Sequence, residues 1–76
     1  MNEQQLDHQT ATTWIATEMK IFAANVGQPN ASAAVRSVID LATLLRVISL
    51  DEKREFSAEV NRIHQAHTAI LQGKAA

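Results

Sequence analysis

Residues 48–56 read ISLDEKREF, and whether the chain breaks there decides between two helices and three. Neither glycine nor proline marks the point. Ser49 is followed three residues later by Glu52, the pattern in which a serine hydroxyl and a glutamate carboxylate each accept a hydrogen bond from the other's backbone amide. Asp51, Glu52 and Glu55 then occupy the first turns, where unpaired amide hydrogens favour negative charge, and Arg62 and Lys74 come later, toward the end that favours positive charge. The stretch predicts a new helix beginning at Ser49.

Upstream, NVGQPN at 25–30 is the stronger punctuation. Gly27 can take the left-handed conformation that closes a helix, Pro29 stops its continuation, and Asn30 or Ser32 can cap the next one. Elsewhere the chain is rich in Ala, Leu, Glu, Gln and Arg, a helical composition. The expected fold is all-α, a single domain over 1–76 with helices at about 4–25, 31–48 and 50–72. The first ten residues are expected to fray, since Leu6 is their one apolar anchor.

The first helix carries a seam of Ala11, Ile15, Met19, Phe22 and Val26, and the third a stricter one of Phe56, Val60, Ile63, His67 and Ile70. The second helix is apolar nearly all round. Val35, Val38, Ile39, Leu41, Ala42, Leu45 and Ile48 form a broad arc, Leu44 and Val47 intrude on the other side, and Arg36, Asp40 and Thr43 form the polar strip, with Arg46 near its edge. Such a helix is buried on most sides. Trp14 and Ile21 add a second apolar feature to the first helix, away from its seam. Two flanking helices leave Trp14, Ile21, Leu44 and Val47 as surplus, and clustered apolar surplus marks an interface. The expectation is a small three-helix bundle, or helical-hairpin arrangement, that assembles as a homodimer with the second helix central. Tilted helices in a compact monomer are the alternative way to cover the same four residues.

Size points the same way. A chain of 76 residues buries only roughly 60% of its extended-chain surface on folding, so a partner subunit would help it. It has no cysteine, hence no disulfide or thiolate ligand to add stability. The opening MNEQQLDHQT has no basic region before an apolar run and reads as no signal peptide. No apolar run is long enough to span a membrane, so the expected location is cytoplasmic, without membrane attachment. Asn30-Ala31-Ser32 matches a glycosylation sequon but lacks a secretory context.

Chemistry is sparse. In NRIHQAH, residues 61–67, two histidines stand three apart and could in principle share a metal with Glu59 or His8. The helical wheel separates them: His67 falls within the apolar seam and His64 at its rim. His67 therefore reads as a core or interface histidine whose protonation would make packing pH-sensitive, and His64 as surface. No metal and no cofactor are expected. Asp51, Glu52, Glu55 and Glu59 read as first-turn acids and a solvated face, not as convergent catalytic carboxylates. There is no nucleophile elbow and no glycine-rich phosphate loop. The expected function is non-enzymatic: protein interaction or regulation through a helical surface.

Two alternatives remain open. One is a helical adaptor or inhibitor that docks on another protein. The other is a small DNA-binding regulator. Net charge is −1, with seven basic and eight acidic residues interleaved, which disfavours non-specific phosphate binding. A third helix used as a reader would present Asp51, Glu52 and Glu55 to DNA, and a second helix Ser32, Arg36 and Ser37. The DNA reading gains if a dimer sets Arg36, Arg46, Arg54 and Arg62 on one face about one helical turn apart, and scattered placement sinks it.

Overall fold

The computed structural model describes residues 2–73. Among them the chain forms three helices, α1 Glu3–Ala24, α2 Ala33–Leu44 and α3 Leu50–Leu71. Lys74, expected near the end of the third helix, lies outside the described residues.

The Ser49 start is as the sequence predicts. Ser49 is extended, its hydroxyl accepts from the Glu52 amide at 3.0 Å, and the Glu52 carboxylate accepts from the Ser49 amide at 2.8 Å. The same device starts α1, where the sequence reading had none. The Asn2 side chain accepts from the Gln5 amide at 2.8 Å, and the Gln5 side chain accepts from the Asn2 amide at 3.1 Å. Residues 3–10, read as a segment that frays, are thus helical and capped in the structure, although every side chain from 2 to 10 is exposed.

The two breaks differ from expectation in instructive ways. Gly27 is not left-handed; Asn30 is, with φ 59°. The glycine leaves space instead. A Cβ there would lie 3.3 Å from two atoms of the His67 ring, so the absent side chain lets α3 approach the end of α1. Ser32 stands at the cap of α2 without making a side-chain cap, and its hydroxyl instead accepts from Arg36 Nε at 3.3 Å.

At its other end α2 stops at Leu44, short of the expected Ile48. Arg46 adopts φ 61°, its amide bonds the Thr43 carbonyl, and the Val47 amide bonds the Ala42 carbonyl, both at 3.0 Å. This is a Schellman closure with arginine where glycine is usual, and Val47 supplies the apolar contact that accompanies it. A left-handed L-residue costs about 1 kcal/mol. Arg46→Gly is therefore expected to raise stability by roughly that amount, read as a higher urea midpoint at unchanged slope.

α1 and α3 run in the same direction and α2 runs back between them. His8 meets Glu52, Phe22 meets His64 and Gly27 meets His67, so the register advances together along α1 and α3. α2 lies close to both, while α1 and α3 touch mainly through side chains. The core is Ile15, Phe22, Val35, Ile39, Ala42, Ile48 and Val60, with Ala11, Met19, Val26, Val38, Phe56 and Ile63 packed against it. No polar side chain is buried among the described residues. α3 outruns its neighbours, so Ile70, expected in its seam, is 69% exposed.

The result is a rod of 51 × 20 × 19 Å. It exposes 5555 Å², above the roughly 4,600 Å² expected of a compact monomer of this mass. Among the described residues no helix is long and apolar enough to cross a membrane.

Candidate functional interface

α2 has neighbours on two sides, and its third side is open. Along that side Ala34, Ser37, Leu41 and Leu44 recur at spacings of 3, 4 and 3, all exposed, with no charged residue among them. Leu41 is 51%, Leu45 63% and Leu44 78% exposed. Trp14 of α1, itself half exposed, lines a groove with Leu41, Leu45 and Val38. Leu44 shares a neighbouring hollow with Leu50, the first residue of α3. Val47 borders both depressions.

The four residues read from sequence as interface candidates are divided by this geometry. Trp14 and Leu44 are on the open face. Val47 is half-buried and packed on the core, which is its part in closing α2. Ile21 is half exposed but lies two turns farther along α1, outside the groove. Leu41 and Leu45, assigned by pattern to the buried arc, are instead major parts of the exposed face. Their exposure was not readable from the sequence, because a helix that is apolar all round does not say which of its sides lacks a neighbour.

The histidines also resolve. His67 is half-buried, with its ring against Gly27. His64, read as surface, is half-buried too, and its ring meets the Phe22 ring edge-on at 5.0 Å between centroids. Each ring thus has a packing role at the α1–α3 contact. Among the described residues no three His, Asp or Glu side chains come together as a metal site would need. The third histidine, His8, lies 2.6 Å from a Glu52 carboxylate oxygen. The Ser49 amide, and after it His8, hold the Glu52 carboxyl below its ordinary value.

The four arginines make separate contacts. Arg54 pairs with Asp51, and Arg62 with Glu59, both within α3. Arg36 reaches Asn61 across the α2–α3 contact, and Arg46 sits in the turn beside Gln4 and Asp7 of α1. Compared with known proteins, the chain matches no family model, no curated sequence and no solved structure.

Proposed function

We propose that the chain is a protein-interaction module, without chemistry of its own, whose working surface is the open face of α2 flanked by Trp14. The observation that carries this reading is the cluster Trp14, Leu41, Leu44, Leu45 and Leu50, each at least half exposed around one helix and its following turn. Together they cluster beside one helix, and exposed apolar residues that cluster mark an interaction site. Exposed leucine and tryptophan at this density are costly in water, about 25 cal/mol per Å² of apolar area, and covering them supplies the driving force for association. The absence of charge along the Ala34–Leu44 stripe suits the centre of an interface, where charged residues are depleted.

The test separates the face from the fold. Leu41→Asp and Leu44→Asp place a carboxylate on the open side, where the isolated fold should tolerate it with little change in melting temperature. Tagged wild-type protein in a host lysate is expected to retain a partner, its own untagged copy included, that both variants lose. Retention that is equal for wild type and both variants would overturn the reading.

A further inference from the structure

On the strength of that interaction reading, we infer that the occupant of the open face is a second copy of this chain, with the two α2 helices antiparallel about a two-fold axis at the level of Ile39. Three features favour this occupant and this direction. The first is size gradation along the stripe. Its N-terminal half carries Ala34 and Ser37 and its C-terminal half Leu41 and Leu44. Antiparallel pairing sets Ser37 opposite the partner's Leu41 and Ala34 opposite the partner's Leu44, so each leucine meets a small residue and the helices can approach closely. Parallel pairing would stack leucine on leucine and leave the alanine ends apart.

The second feature is charge. Arg36 and Asp40 stand four apart on the edge of α2 nearest α3, where Arg36 reaches Asn61 at 3.5 Å and Asp40 lies 3.9 Å from Lys53. In a two-fold antiparallel pair the same edges face each other. Arg36 then comes within reach of the partner's Asp40, and Asp40 of the partner's Arg36, which makes the edge complementary to itself. The third is area. Four leucines and Trp14, each at least half exposed, supply the apolar centre that a standard interface of ~800 Å² per partner needs. A self-complementary patch is what a two-fold dimer requires.

Sedimentation equilibrium at tens of micromolar tests the inference directly. Wild type is expected at the dimer mass. Arg36→Asp and Asp40→Arg each turn both crossings from attraction into repulsion, and each is expected to weaken the dimer about tenfold, the effect of two exposed ion pairs lost together. An equimolar mixture of the two variants is expected to recover the dimer, because each crossing again sets an acid against a base, and only in trans. Helicity by circular dichroism checks that both variants fold. A monomeric wild type overturns the second copy as occupant, while the lysate comparison with Leu41→Asp still reads the interaction face independently. A dimer that ignores both charge variants, or a mixture no tighter than its components, overturns the antiparallel register.

Discussion

Phe22→Ala is expected to abolish the cooperative thermal transition of this chain. Phe22 is the largest fully buried side chain, 1% exposed, and it belongs to the core that all three helices share. Truncating such a phenylalanine typically costs about 3–5 kcal/mol, because the lost transfer free energy is joined by the cost of the cavity. A chain of this length has a total stability of only about 4–11 kcal/mol at typical values per residue. The loss is thus comparable to the whole margin. It also removes the ring against which His64 packs, loosening α3 from α1 at the contact where their backbones are farther apart. Far-ultraviolet circular dichroism during heating is the measurement. A sigmoidal melt within a few degrees of wild type would mean that Phe22 is not the centre of the core.

The same residues show what a sequence can and cannot disclose about such a protein. The number of helices was legible because helix starts are local chemistry: Ser49 and Glu52 declare a cap whatever surrounds them. The end of α2 was not, because its left-handed residue is Arg46, and no intrinsic preference of arginine announces that conformation. Tertiary closure, with Val47 drawn onto the core, stabilises it. Gly27 was legible as a break but for the wrong physical reason, since its role depends on His67, forty residues away. The apolar surplus was countable from sequence, and Trp14, Ile21 and Leu44 are exposed in the fold. Its location was not, because whether Leu41 or Val47 is covered depends on where α1 and α3 come to lie around α2. In a bundle this small, which side of a helix lacks a neighbour is a property of three-dimensional placement alone.

The second large effect is expected from the cap of α3. Ser49→Ala with Glu52→Ala removes both reciprocal hydrogen bonds and the His8 pairing, at about 1 kcal/mol for each capping partner and about 2 kcal/mol together. The charge on Glu52 can be separated from its geometry. Its carboxyl is held below the ordinary value, first by the Ser49 amide and then by His8. A carboxyl depressed on folding contributes stability that is complete above its unfolded value, near 4.5, and is lost as pH falls through the lower folded value. Wild type should therefore lose stability on acidification below about pH 4.5 more steeply than Glu52→Gln, whose amide can keep the reciprocal bond to Ser49 but cannot titrate. Urea midpoints measured from neutral pH down to pH 3 read the difference. Parallel profiles for the two proteins would mean that the cap acts through its hydrogen bonds alone, and that the 2.6 Å approach of His8 to Glu52 adds nothing that depends on charge.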